Sequence, residues 1–370
     1  MQSTQQNANL ATQFAFTALA IAASLLLSAG LIVLIGREPL EVIEKVWEGA
    51  FSSTSRVAGV FNFWIPLTLS SIGLVVTFRA GLWNIGVEGQ MMMGAVFASG
   101  VALFVPAPGI IRVPLALLAS VVGGMLWSVL AGVLKTRLGV HEIFGGVALN
   151  AIANVFANFL VANLWSPPGG NALDTGPFDE AARLPSFSED FPTSVTMIVL
   201  TLMLSAVVVF ALRGTRWGLE LKATGKNPRS ALLLGVPTER TSLSAFAVCG
   251  ALAGLAGAYR VLFFYGTLRP LASGGIGFLA ILVVLLVSNQ ALWVPLVAFI
   301  FGALLFGSTR LRVSLRLDAS LAKTLQGVLV LLVILSNGLR ARFTESRASP
   351  APPPPEQEPA PTVTETTSYE

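Results

Sequence analysis

The residues of this chain best suited to handling a polar solute fall in one short stretch, 78–94. It reads Phe-Arg-Ala-Gly-Leu-Trp-Asn-Ile-Gly-Val-Glu-Gly-Gln-Met-Met-Met-Gly between two apolar runs. Arg79, Asn84, Glu88 and Gln90 bring charge and amide groups into it, and Gly81, Gly86 and Gly89 loosen its backbone, so an uninterrupted lipid-facing helix is not expected. Polar side chains and irregular backbone at membrane depth persist only where protein or a water-lined cavity satisfies them. The stretch is therefore expected to be an interrupted segment beside a translocation path, with Asn84, Glu88 and Gln90 at the path or its gate. Asn150 joins this set from a later apolar run, in which Asn150, Asn154 and Asn158 share one helical face. The alternative for the asparagines is interhelical hydrogen bonding. For Arg79 and Glu88 it is mutual neutralisation or bonding to freed backbone groups, and a structural role outweighs direct contact with a solute.

Two other sets of residues carry chemistry less sharply. Phe63, Trp64, Trp83 and Trp127 offer faces for a planar ring, although aromatics near span ends are more often interface anchors. His141 and Glu142 have the makings of a proton relay. Such a pair at a helix start is more often an arrangement of helix-end charge, and no intramembrane acidic chain extends it.

Composition bounds what elements can hold these residues. Of 370 residues, 54% are hydrophobic and 11% charged, and apolar runs recur from 14 to 336. That combination specifies an all-helical polytopic membrane protein with no separate soluble domain. Positive charge sits in short loops beside apolar runs, a positive-inside pattern rather than a nucleic-acid footprint. One cysteine, Cys249, excludes a disulfide framework, and with one histidine, His141, a metal site of Cys and His is not expected. Gly225-Lys226 is followed by Asn227, so the chain lacks a phosphate loop of the Gly-x-x-x-x-Gly-Lys-Ser/Thr type. Any ATP and magnesium must then be bound by another subunit, and no cofactor is expected on this chain. No nucleophile, base or metal set converges, which argues against an enzyme.

About ten spans are expected in a transmembrane domain covering 14–338: 14–35, 61–78, 91–105, 113–134, 143–164, 194–212, 242–264, 276–287, 292–306 and 321–335. The first lacks a basic leader region and is read as a retained helix rather than a signal peptide. Residues 1–13 and 339–370 are expected in the cytoplasm, the latter as a disordered Pro-rich tail. Segment 36–59 is expected outside as a short surface helix, and the acidic loop 165–193 likewise outside. The basic loop 213–240 is expected inside. Arg310, Arg312, Arg316 and Lys323 resist this order, since alternation puts their connection outside. An extra half-span near 288–293 would reverse the end of the chain. Spans 91–105 and 276–287 are both short and follow Gly-containing polar stretches, a weak internal echo of the kind that points to a transport site.

Within the basic loop, Asn227 can cap a helix, Pro228 suits its first turn, Arg229 to Leu234 continue it, and Gly235 suits a left-handed stop. A short capped helix with Arg229 beside Ala231, Leu232 and Leu233 fits a groove of a partner protein, or else rests on lipid headgroups.

The run from Arg79 to Gln90 resembles the signature of permease subunits of bacterial ABC importers of the ribose and branched-chain amino acid type, in their nucleoside branch. Pro66-Leu67, Gly73, Glu142, Leu149-Asn150, the stretch 223–236, Gly277-Phe278 and Ala280-Ile281 fit the same pattern, over about 61–338. Gly145-Gly146, Ala148 and His141 depart from it. The resemblance implies that Asn227, Pro228, Arg229, Ala231, Leu232 and Gly235 couple the chain to an ATPase subunit. It also implies a second permease, usually a different one, and a periplasmic or lipid-anchored binding protein. Nucleoside uptake by ATP-driven alternating access in the bacterial inner membrane is the expectation. The alternatives are a ribose-type monosaccharide permease and an ion-coupled secondary transporter.

Overall fold

Burial sorts the helices into a centre and a rim. The computed structural model describes residues 22–23, 26–167 and 174–314, with scattered positions from 324 to 335. In chain order the helices are α1 (Pro39–Phe51), α2 (Thr54–Arg79), α3 (Val87–Phe104), α4 (Gly109–Thr136), α5 (Glu142–Phe159), α6 (Val195–Gly214), α7 (Arg216–Lys226), α8 (Pro228–Leu233), α9 (Thr238–Tyr259), α10 (Ile276–Leu286) and α11 (Val294–Ser314). Short π-helical segments, Leu160–Leu164 and Arg260–Tyr265, extend α5 and α9. No strand occurs among the described residues.

The apolar windows of α2, α3 and α9 are 83%, 72% and 78% buried, against 28%, 33% and 28% for α4, α5 and α6. All six are apolar, so hydrophobicity alone cannot choose the centre. Small residues do, because helices in lipid associate through close packing rather than through a hydrophobic drive. A Cβ at Gly254 of α9 would overlap the Ser120 carbonyl of α4, and one at Gly257 the Met91 carbonyl of α3. These two glycines let α9 lie directly on both neighbours.

Seven helices among the described residues are long and apolar enough to cross a bilayer, against ten expected. Parts of the expected first and tenth spans lie outside the described residues, as do all of 1–13 and 339–370. The expected eighth span is α10, whose 11 residues reach about 16 Å at 1.5 Å each, too short to cross. Ser288 and Asn289, at φ 49° and 61°, end it with a tight turn into Ala291–Trp293 and α11. Segment 36–59 is not a free surface helix: α1 lies along α11, where Gly49 and Gly307 approach each other closely.

Contacts between loops define two ends of the bundle. At one, Glu48 of α1 lies 3.8 Å from Arg310 of α11, Asn62 donates to the Pro192 carbonyl, and Phe178 donates to the Gly266 carbonyl. Segment 36–59 and the described part of 165–193, both expected outside, thus share an end with Arg310, whose charge had resisted that placement. At the other end Lys135 pairs with Glu142 at 2.5 Å and Arg137 with Glu239 at 2.8 Å.

Candidate functional site

Residues 80–86 break the helical path between α2 and α3. Gly81 takes a left-handed φ of 74° that turns the chain, and behind the turn the four candidate path residues converge. Asn84 and Gln90 exchange hydrogen bonds of 3.1 and 2.8 Å between their amides, and Asn84 also donates to Cys249 Sγ on α9 at 3.1 Å. Asn150 on α5 accepts from the Gly89 N–H at 2.7 Å and donates to the Ile85 carbonyl at 2.9 Å. Glu88 accepts two backbone N–H groups at 2.7 Å, from Gly275 and Gly277 at the start of α10. A carboxylate at a helix N-terminus meets both unspent donors and the positive end of the helix dipole. All four side chains are buried. The network therefore ties the turn to α5, α9 and α10 and spends its hydrogen bonds inside the protein.

Arg79 is not the partner of Glu88. Its carbonyl instead lies beside Gly225, at the end of α7, where a Cβ would overlap it. The turn after α2 and the end of α7, which leads into the capped helix, thus touch backbone to backbone.

The capped helix itself is α8. Asn227 Oδ1 accepts from the Ser230 N–H at 3.1 Å, Pro228 opens the helix, and Gly235 stands at φ 83°. Gly235 and Val236 donate back to the Leu232 and Ala231 carbonyls at 3.0 Å each, closing the C-terminus. Ala231 is buried. Arg229, Leu232, Leu233 and Leu234 are exposed. Before it, α7 is fastened to α9 by Trp217, whose indole N–H donates to Ser244 Oγ at 2.8 Å, and its Leu221 is buried.

His141 and Glu142 are engaged at the start of α5: His141 Nδ1 accepts from the Ile143 N–H at 3.4 Å, and Glu142 pairs with Lys135. Asn154 donates to the Asn150 carbonyl of its own helix, and Asn158 is exposed. Among the aromatics, Trp64 donates to the Pro295 carbonyl at 2.7 Å, and the half-exposed Trp83 packs on Phe78. Phe63 lies over Arg260.

Arg260 is the residue that sequence reasoning missed. It is 3% exposed inside the span Thr238–Tyr265. Its Nε donates to the Ala272 carbonyl at 3.1 Å and its Nη2 to Tyr265 Oη. The loop 272–277 is therefore gripped from both sides, its carbonyl by a cation and its amides by the Glu88 anion. The signal was present: a charge within an apolar span marks a functional position.

Comparison with known proteins decides the class. Residues 56–334 match the family described as branched-chain amino acid transport system, permease component. The chain belongs to this permease family. The guanosine ABC transporter permease protein of Bacillus subtilis is 30% identical over 86% of this chain and 93% of its own length. The glucose ABC transporter permease protein of Haloferax volcanii is 28% identical, covering 86% of each chain. The nucleoside ABC transporter permease protein of Lactococcus lactis is 28% identical over 78% of this chain and 82% of its own length. This permease is accordingly a multi-pass membrane protein and a transport component rather than a catalyst.

Proposed function

We propose that the chain is the membrane-spanning subunit of an ATP-driven nucleoside importer that works by alternating access in the bacterial plasma membrane, with both termini in the cytoplasm. The observation that carries this reading is α8. A helix of six residues has no stability of its own in water, yet this one is capped at both ends and presents Leu232, Leu233 and Leu234 uncovered. Such a face suits the groove of a partner protein. A cytoplasmic ATPase subunit, holding ATP and magnesium, is that partner. Movement of α8 reaches the Arg79 to Gly81 backbone through Gly225, and Asn84, Glu88, Gln90 and Asn150 make the adjoining helix ends respond together as the frame of the gate. A second permease completes the path, and a periplasmic or lipid-anchored binding protein delivers the solute.

Nucleosides are supported as cargo by the guanosine and nucleoside relatives. A monosaccharide is the second reading, supported by the glucose relative. An ion-coupled mechanism has less to build on, since His141 and Glu142 are engaged at the helix start. Gentle detergent extraction of the tagged chain from its host, with mass identification of what copurifies, tests the reading. Recovery of an ATPase, a second permease and a nucleoside-binding protein is the expected result. A chain that comes out alone and moves solute in ATP-free vesicles under an ion gradient would overturn it.

A further inference from the structure

Arg260 has one guanidinium nitrogen that no described residue engages. Nε and Nη2 are committed to Ala272 and Tyr265, but the buried Nη1 has no hydrogen-bond partner among the described residues. An unsatisfied donor on a buried cation costs about 1–3 kcal/mol or more, so an arrangement that leaves it unused calls for a reason. The rest of the charge is held by rings: the guanidinium carbon lies 4.3 Å from the centre of Phe264, 4.5 Å from that of Tyr265 and 5.6 Å from that of Phe63. Glu88 holds the same loop from its far side through the Gly275 and Gly277 amides, and Arg269 lies over the Tyr265 ring at 4.8 Å. Phe264 is the outer ring of the three, 36% exposed, and it meets Phe63 edge-on at 5.5 Å.

The backbone beneath these rings is π-helical from Arg260 to Tyr265 and ends at Gly266 with φ 67°. Segments of this kind are rare and concentrate at functional sites. The whole group lies at the end of the bundle shared with the 174–193 loop, whose Phe178 N–H donates to the Gly266 carbonyl.

Attraction between a cation and a π face is generic to planar rings. A planar base can therefore displace Phe264 and present its carbonyl edge to the idle Nη1–H, the charge-assisted hydrogen bond replacing the lost ring contact. We propose that Arg260, Phe264, Tyr265 and Phe63 form a base-reading station on the path, closed here by Phe264, which selects heteroaromatic rings carrying a carbonyl acceptor. This rests on the nucleoside reading above and adds the group that reads the base.

The assembled transporter, reconstituted with its own binding protein, tests the station through uptake of labelled inosine in competition with unlabelled inosine or purine riboside, which lacks the 6-oxo group. Holding the binding protein constant means that a change in preference between variants comes from the permease. In Arg260→Gln the preference for the oxo compound is expected to fall about 10- to 100-fold, the value of a charge-assisted hydrogen bond. Phe264→Leu, at a half-exposed position, is expected to fold and to lower the KM for inosine about two- to fivefold, because a weaker cover is displaced. Equal loss of both nucleosides in Arg260→Gln, or an unchanged KM in Phe264→Leu, would overturn the station and leave the importer standing. A wild-type complex that takes up sugars and no nucleoside would overturn both the cargo reading and the station.

Discussion

The turn 80–86 touches Gly225 of α7, which leads directly into α8, yet the turn and α8 use polar and apolar groups in opposite ways. At the turn, Asn84, Gln90, Glu88 and Asn150 are buried and bonded to one another or to internal backbone. On α8 the polar work is confined to the two caps, and three consecutive leucines stand in the open. Buried polar groups that are fully paired make a rigid joint, since loosening any member strands the others in a low-dielectric interior. Exposed leucines on a short capped helix do nothing for the isolated chain. On the reading proposed above, the contrast separates a part that holds from a part that engages, joined through α7.

Three substitutions can break or sharpen this contrast. Glu88→Leu should have the largest effect: it strands the Gly275 and Gly277 amides inside the bundle, and each lost charge-assisted bond is worth about 1.5–3 kcal/mol. Thermal unfolding of the purified complex in detergent should show a drop in midpoint well beyond that of any surface control, and an unmoved midpoint would mean the joint is not structural. Asn150→Leu comes next, removing one bond to Gly89 and one to Ile85 at about 1 kcal/mol each plus the cost of the stranded groups. Faster hydrogen exchange at Gly89 should accompany it, while α8 stays as it was. Leu233→Asp should change stability least, within about 0.5 kcal/mol as for an exposed site. It should abolish ATPase copurification and ATP-driven uptake. If it melted the bundle instead, α8 would belong to the joint and not to the interface.

Legibility from the sequence followed locality. The bounds of α5, α6 and α9 lie close to the apolar runs that announced them. So do both ends of α8, because a cap is chemistry between residues three or four apart. The candidate residues of the turn were recognisable as a set, since four polar side chains among glycines cannot face lipid. Their partners were not. Arg79 and Glu88 could be read as neutralising each other or as bonding freed backbone groups. Glu88 does the latter, but its donors lie 187 and 189 residues away, beyond what near neighbours show. Arg260 was overlooked inside an apolar run for the same reason: the rings and the carbonyl that explain it come partly from other elements.

What the sequence determined by itself is whatever depends on composition and near neighbours: a membrane-embedded helical chain, the place of the broken segment, the capped helix and the permease signature. What only the tertiary structure decided is which helices are central, that α10 is too short to cross, that Glu88 and Arg260 grip one loop from opposite sides, and that Gly225 rests on the Arg79 carbonyl. The physical reason is that lipid offers no hydrogen bonds and no hydrophobic drive between helices. Partner choice then falls to close approach at small residues and to polar groups seeking satisfaction across the bundle, and both depend on distances that exist only once the chain has folded.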